Sequence, residues 1–133
     1  MILDTSAVVA ILRAEPEAPE MAKSITLAGA CCISAVSYLE AAIVIDGGRD
    51  PIASRRFDDF FRESKIVVEP VTHRQAEIAR QAYRDFGKGR HRAGLNFGDS
   101  FAYALAKEKG EALLFKGDDF RHTDIEPAED ATH

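Results

Sequence analysis

Three acidic residues occupy positions where a charge is costly in a folded chain. Glu40 lies in "SYLEAAIVI" and Asp99 in "NFGDSFAYALA", and both stretches have the apolar periodicity of helices. Asp4 directly follows the apolar run "MIL". A carboxylate that leaves water without a partner costs several kcal/mol, so each of these acids needs a compensating cation or a proton.

The helical neighbours of Glu40 and Asp99 supply no such cation. Residues three and four positions away share a helix face. On that face both acids have mostly apolar neighbours and no Lys or Arg, namely Val36, Ser37, Ile43 and Val44 for Glu40 and Leu95, Asn96, Ala102 and Tyr103 for Asp99. A divalent ion with oxygen ligands, Mg²⁺ or Mn²⁺, accounts for both acids. Such an ion polarises a phosphoryl oxygen and positions a water, as phosphodiester cleavage requires.

Each acid also has a structural explanation that the sequence leaves open. Asp4 opens "DTSAVVAIL", where it suits a helix N-cap. "SYLE" (37–40) has the form of a capping box, which would start the helix at Ser37, whereas the apolar periodicity reaches back toward Ala35. The helix dipole favours an acid such as Asp99 in a first turn.

No side chain stands out as a nucleophile with a base beside it. The four histidines are scattered among polar residues, and His122 in "RHTD" suits a loop hydrogen bond better than a catalytic base. We therefore predict that water is the nucleophile.

Short apolar runs that are typical of strands alternate with stretches of helical period. The predicted strands are 1–3, 30–34, 65–71 and 112–115. The alternation predicts an α/β sandwich with a mostly parallel sheet. Sites in open parallel sheets form beyond the carboxyl ends of the strands, which makes Asp4 and "GDD" (117–119) candidates for one edge.

Length and composition fit a single globular domain, with 133 residues of which 46% are hydrophobic and 29% charged. No apolar run approaches the ~20 residues of a membrane span, and the start lacks the features of a signal peptide, so we expect a cytoplasmic protein. The adjacent Cys31 and Cys32 suit a buried strand better than a zinc site.

The net charge of −5 argues against a nucleic-acid partner, but the distribution of charge does not. "KGRHR" (88–92) is a compact basic loop in an acidic chain. One interpretation is a solvated loop between two helices. In the other, Lys88, Arg90 and Arg92 bind RNA phosphates or acidic residues of a protein partner.

Four segments together resemble a known family. In order along the chain, they are "MILDTSAVVAIL", "ISAVSYLEAAIV", "GLNFGDSFAYALA" and "LLFKGDDFRHTDI", and they are similar to segments of PIN-domain ribonucleases, among them the VapC toxins of bacterial toxin–antitoxin pairs. The resemblance implies a three-layer α/β/α sandwich with a short, mostly parallel sheet, as one domain over 1–126 with a polar tail at 127–133. It further implies Mg²⁺- or Mn²⁺-dependent endonucleolytic cleavage of RNA, a cognate small antitoxin and a homodimer.

The resemblance also assigns roles to individual acids. Asp4 and Asp99 match the usual metal ligands, and Glu40 matches the acid that completes the pocket and the metal site. The fourth acid is less defined, because the family pattern T-x-D-x-D-F is "FKGDDF" here, with Gly117 at the first acidic position. We favour Asp118 over Asp119 for it.

The hydroxyl residues that follow Asp4 have a supporting role in this assignment. Thr5 and Ser6 are expected to orient Asp4 or a metal-bound water. The chain departs from the family pattern once more at Phe115, which replaces a threonine.

Two other functions compete with the nuclease. A PIN-like module that binds RNA or protein without cutting would not need three costly acids. A receiver-like domain would need a phosphoacceptor Asp at the end of a central strand, whereas Asp58 and Asp59 fall inside an amphipathic helical stretch.

Overall fold

The computed structural model describes residues 1–128, so the last five residues of the predicted tail lie outside the described part. Within residues 1–128 the chain forms six α-helices and four strands. In chain order the elements are β1 (Ile2–Leu3), α1 (Thr5–Leu12), α2 (Ala18–Ala28), β2 (Cys32–Ser34), α3 (Ala35–Asp46), α4 (Pro51–Ser64), β3 (Val67–Glu69), α5 (His73–Phe86), α6 (Phe97–Lys109) and β4 (Leu113–Leu114), followed by a short 3₁₀ helix at Asp119–His122.

The four strands form one parallel sheet in the order β3–β2–β1–β4. Successive side chains of a strand point to opposite faces. Ile2 accordingly packs on one face of the sheet, in a core with α5 and α6. Leu3 packs on the other face, in a second core with α1, α2, α3 and α4. Two cores on the two faces of one sheet make three layers, which confirms the predicted α/β/α sandwich.

All four predicted strands are present, and each is shorter than its apolar run. The two central strands are buried, with Leu3 and Ile33 fully inaccessible. The edge strand β3 leaves Val67 and Val68 exposed. Cys31 is buried just before β2 and Cys32 is partly buried within it, and both are free thiols, as the sequence predicted.

The start of α3 shows that Glu40 is not part of a capping box with Ser37. The N-cap of α3 is Ser34, whose hydroxyl accepts a hydrogen bond from the Val36 N–H at 3.3 Å. Ser37 is therefore not an N-cap, and Glu40 lies in the second turn of α3. The other predicted cap is present, because Thr72 accepts from the Gln75 N–H at 3.1 Å where α5 begins.

Backbone pairing continues into the first residues of the predicted tail. The Ala128 N–H donates to the Leu113 carbonyl at 2.8 Å, and Pro127 forms a parallel bridge with Leu113. The domain boundary at 126 stays a prediction. In the part of the chain that the structure describes, no helix has the length and apolar character of a membrane span.

Candidate active site

The predicted site residues meet at the edge of the sheet where β1 and β4 end. Asp4 follows β1, and the loop after β4 leads to Asp119. Glu40 reaches this edge from α3 and Asp99 from the first turn of α6. Parallel strands place their carboxyl ends together, which is why residues so far apart in sequence share this edge.

Asp4 is a buried N-cap with a defined orientation. Its carboxylate is only 4% exposed, and Oδ2 accepts from the Ser6 N–H at 3.0 Å and from the Ser6 hydroxyl at 2.6 Å. The Ser6 hydroxyl oxygen in turn accepts from the Lys116 N–H at 2.9 Å. Ser6 therefore links Asp4 to the end of β4, and its role in orienting Asp4 for a metal ion stays a prediction.

Glu40 is half-buried and held by two neighbours. The Thr5 hydroxyl donates to Oε1 at 3.1 Å. The carboxylate also lies directly against the backbone of Gly98, where a Cβ would stand only 2.1 Å from Oε2. A side chain at position 98 would therefore displace the Glu40 carboxylate from this place.

Asp99 forms a capping box with the N-cap of its own helix. Its Oδ2 accepts from the Asn96 N–H at 3.1 Å, and its N–H donates to the Asn96 side chain at 2.9 Å. The acid thus has the structural role that the dipole argument allowed, in addition to its place beside Asp4 and Glu40.

Burial and mutual repulsion raise the pKa values of all three acids. Burial is the largest cause in each case, and hydrogen bonds from Ser6, Thr5 and Asn96 offset only part of it. Asp4 repels the charge on both Glu40 and Asp99, and the pKa of Asp99 rises to about 6. Between residues 1 and 128, no Lys, Arg or His forms a salt bridge with any of the three.

The structure brings Asp119, and not Asp118, toward the other acids. The negative charge of Asp119 raises the pKa of both Asp4 and Asp99. Asp118 is exposed and pairs with Arg121 at 3.6 Å. The two acids differ in position at the start of the 3₁₀ helix, where Asp118 is the N-cap and Asp119 is the first helical residue.

The donors fit a hard divalent ion, although they do not form a complete ligand set in this conformation. Within residues 1–128, no group of three or more Asp, Glu, His or Cys side chains has metal-ligating geometry. Asp4 and Asp99 each use Oδ2 for a helix cap, and Oδ1 of each accepts no hydrogen bond from the described residues. Mg²⁺ commonly takes one or two protein carboxylates and keeps several waters, which suits two free Oδ1 atoms.

The basic loop is exposed and lies beside α5. Lys88, Arg90 and Arg92 form no salt bridge with another described residue, and the Arg90 guanidinium stands 5.8 Å from the centre of the Tyr83 ring. Gly87 and Leu95 pair in a bridge and close the loop at its base.

Two features of the site escaped the sequence interpretation. Gly98 was not singled out, although a glycine in the first turn of a helix, in "NFGDS", is a signal of close approach. The helix face of Glu40 has mostly apolar residues, yet Ile43 on it is 61% exposed. Apolar spacing on a helix does not reveal whether another element covers that face.

A parallel α/β/α sandwich with an acid cluster at the carboxyl edge of its strands is the architecture of a PIN-type nuclease domain. The PIN domain family model matches residues 1–126. The chain is 53% identical over 131 residues to ribonuclease VapC28 of Mycobacterium tuberculosis, and the match covers 98% of each chain. The chain therefore belongs to the PIN-domain family, within its group of VapC ribonucleases.

Two solved structures share the fold at low sequence identity. The first, VapC20 of Mycobacterium tuberculosis, described as a toxin that cleaves the sarcin–ricin loop, matches with a TM-score of 0.72 at 17% identity. The match covers 93% of this chain and 95% of that one. The second, a toxin–antitoxin complex from Klebsiella pneumoniae, matches with a TM-score of 0.67 at 16% identity over 92% of both chains. These likenesses support the fold alone.

Proposed function

We propose that this endoribonuclease depends on a divalent metal ion, Mg²⁺ or Mn²⁺, and is the toxin of a toxin–antitoxin pair. The observation that carries the proposal is the convergence of Asp4, Glu40 and Asp99 with no cation among the described residues to neutralise them. Membership of the PIN family supports the metal, since metal dependence is general among these ribonucleases. A domain over 1–126 would contain the whole site.

Asp4 and Asp99 would hold the ion, with Glu40 and Asp119 completing the site. When bound, a divalent ion neutralises charge on a phosphoryl oxygen and lowers the pKa of a bound water. Thr5 orients Glu40, and Ser6 holds Asp4 while leaving its Oδ1 free. Burial and the charge of Asp4 raise the pKa of Glu40, which makes its carboxylate a stronger proton acceptor.

Water is the proposed nucleophile. Ser6 donates to Asp4 and accepts from the Lys116 backbone, which gives its hydroxyl a positioning role. The receiver-like alternative is disfavoured, because Asp59 lies in α4 and pairs with Arg62 instead of ending a strand. The alternative of a PIN-like module that binds without cutting is disfavoured by the 53% identity to ribonuclease VapC28.

The proposed partners are RNA, a cognate small antitoxin and a second copy of the chain, and the proposed compartment is the cytoplasm, where such RNA is found. One structural observation supports a covering partner: Leu39 and Ile43 of α3 are 56% and 61% exposed. Large apolar side chains grouped on one helix face commonly mark an interface. Light scattering on the purified chain would test the homodimer.

The direct test is expression of the full chain followed by mapping of new RNA 5′ ends. We expect discrete new ends with the unaltered chain and none with Asp4→Asn, and purified protein should make the same cuts only with Mg²⁺ or Mn²⁺. Unchanged cutting in a chelator would refute metal dependence. Cutting by Asp4→Asn at the unaltered rate would refute the site, and growth arrest without any new ends would favour the non-cutting module.

A further inference from the structure

A groove of about 570 Å³ runs between α5 and α6, on the side of α6 away from the acid cluster. Its walls combine aromatic rings with arginines, and the residues that carry the argument are Arg80, Tyr83, Arg84, Arg90, Phe97 and Phe101. None of the four predicted acids lines it. The acid cluster therefore leaves this feature unexplained.

The aromatic rings of the groove are unusually open to solvent. Phe97 is 75% exposed and packs edge-on against Phe101 with the ring centres 5.0 Å apart. Tyr83 is 40% exposed and carries the Arg90 guanidinium 5.8 Å from its ring centre. Exposed aromatic rings grouped in one groove form an apolar patch, which is a feature of ligand-binding surfaces.

The cations around the groove have no anionic partners in the described part of the chain. Six other Lys and Arg side chains form salt bridges there, but Arg80, Arg84 and Arg90 form none. Residues 80–92 hold five Lys and Arg against one acid, Asp85, whose carboxylate accepts a hydrogen bond from Gln81. In a chain of net charge −5, this segment is a local basic surface.

We infer that the groove binds single-stranded RNA next to the cut bond, with a base stacked on Phe97 and phosphates held by Arg80, Arg84 and Arg90. The inference rests on the proposed function, since it assigns a binding subsite to that nuclease. Sequence-tolerant single-strand binding combines a basic groove with aromatic side chains on which bases stack. The groove between α5 and α6 has this combination, and it shares α6 with Asp99.

The position of Phe97 links the groove to the acid cluster. Phe97 and Asp99 occupy the same first turn of α6 and project from opposite sides of it. A helix is about 10 Å across with its side chains, so a strand that passes around this turn reaches both residues. A flanking base on Phe97 would thus hold the scissile phosphate at Asp99.

Charge favours RNA over another protein as the occupant. In a symmetric dimer both copies contribute the same patch, so a two-fold contact through this groove would gather six arginines in one interface. An acidic protein segment would satisfy the arginines, but it would not require an exposed aromatic ring of stacking geometry. The test below distinguishes RNA from a second copy of the chain and from an acidic protein partner.

The test measures binding of the full chain to a fluorescein-labelled oligouridine of about twelve nucleotides, in EDTA so that no cleavage occurs. We expect Phe97→Ala and Phe97→Leu to weaken binding on the order of tenfold, and Phe97→Trp to restore it, because stacking needs a ring and not only apolar bulk. Leucine would largely preserve a packing contact with protein. Phe97 is 75% exposed, so these changes leave the fold intact.

The arginines are tested through salt dependence. Replacing Arg80, Arg84 and Arg90 together by Gln should reduce the slope of log affinity against log salt by about 2, as expected for three lost single-strand phosphate contacts. The matched control replaces Arg13, Arg55 and Arg56, which are also exposed and without salt bridges to described residues. The control replacement should change the slope of log affinity against log salt by less than half as much as the groove replacement does.

The outcomes separate this inference from the proposed function. If all groove variants bind and cleave RNA as the unaltered chain does, the groove is not an RNA subsite, and the proposed nuclease function is unaffected. If binding depends on the groove but no metal-dependent cleavage occurs, the proposed nuclease function is wrong and the groove remains an RNA-binding surface. A change of oligomeric mass, or loss of antitoxin binding alone, with unchanged RNA affinity would assign the groove to protein contact and overturn the inference. Absence of oligouridine binding by the unaltered chain would also overturn it.

Discussion

Asp99 on α6 and Asp124 in the segment after β4 have pKa values that shift in opposite directions. Asp124 accepts from the Tyr103 hydroxyl and pairs with Lys107 at 2.6 Å. Partial burial works against its ionisation, but these hydrogen bonds outweigh burial and lower its pKa. Asp99 has only a backbone donor and three acidic neighbours, and its pKa rises to about 6. A carboxylate that the protein has paired serves structure, whereas one left with other acids is suited to bind a cation.

Replacing each carboxylate by its amide should give the largest contrast between these two regions. We expect Asp99→Asn to lower the rate of RNA cleavage at least a hundredfold, because loss of even an outer partner of a metal ligand typically costs about 10- to 100-fold. The amide oxygen still accepts from the Asn96 N–H, so the cap of α6 persists. A steady-state cleavage assay gives the rate.

Asp124→Asn is the matched control for that experiment. It should cleave at nearly the unaltered rate and lose no more than about 1 kcal/mol of stability, since the Lys107 pair is largely exposed. Equal loss of activity in the two variants would show that the acid cluster has no special role.

The second contrast concerns the backbone that positions Glu40. A Cβ at position 98 would overlap the Glu40 carboxylate, so we expect Gly98→Ala to displace it and lower the cleavage rate on the order of tenfold. Gly48→Ala is the control, because its Cβ would stand 3.5 Å from the Ile45 carbonyl, an ordinary contact. An unchanged rate in Gly98→Ala, with the fold intact by circular dichroism, would remove Glu40 from the site.

The sequence predicted the helices and strands better than it predicted the detail of the candidate site. Strand positions and the start of α3 follow from local patterns, because apolar periodicity and capping are decided within a few residues. Asp119, and not Asp118, lies near the other acids at the start of a 3₁₀ helix whose Phe120 is buried in the core, and local sequence does not reveal such a core contact. The contact of Glu40 with Gly98 joins two helices that are 58 positions apart in sequence, and no local pattern encodes it.

A third experiment measures whether the unpaired acids bind the proposed cation. Metal binding to the folded state alone stabilises it by about 2.7 kcal/mol at 100 times Kd, or about 10 °C in Tm for a chain of this size. We expect Mg²⁺ or Mn²⁺ to raise the Tm of the unaltered chain and of Asp124→Asn. Asp4→Asn should show little rise, and a full rise in that variant would place the ion elsewhere.

The smallest expected effect is the pH dependence of stability without metal. The folded-state pKa of Asp99 lies above its ordinary value of 3.8, so the folded chain holds this proton more tightly than the unfolded chain does. The resulting stability is full below the ordinary pKa and is lost as pH rises through about 6. Between about pH 5 and about pH 7.5 the Tm of the unaltered chain should therefore fall more than that of Asp99→Asn.

Asp124→Asn is the control and should follow the unaltered chain, because the pKa of Asp124 lies below this window. Saturating Mg²⁺ should remove the fall in Tm of the unaltered chain, because the ion binds the ionised form of Asp99. Parallel Tm curves for the unaltered chain and Asp99→Asn would mean that Asp99 is as well compensated as Asp124, and the contrast between the two regions would fail.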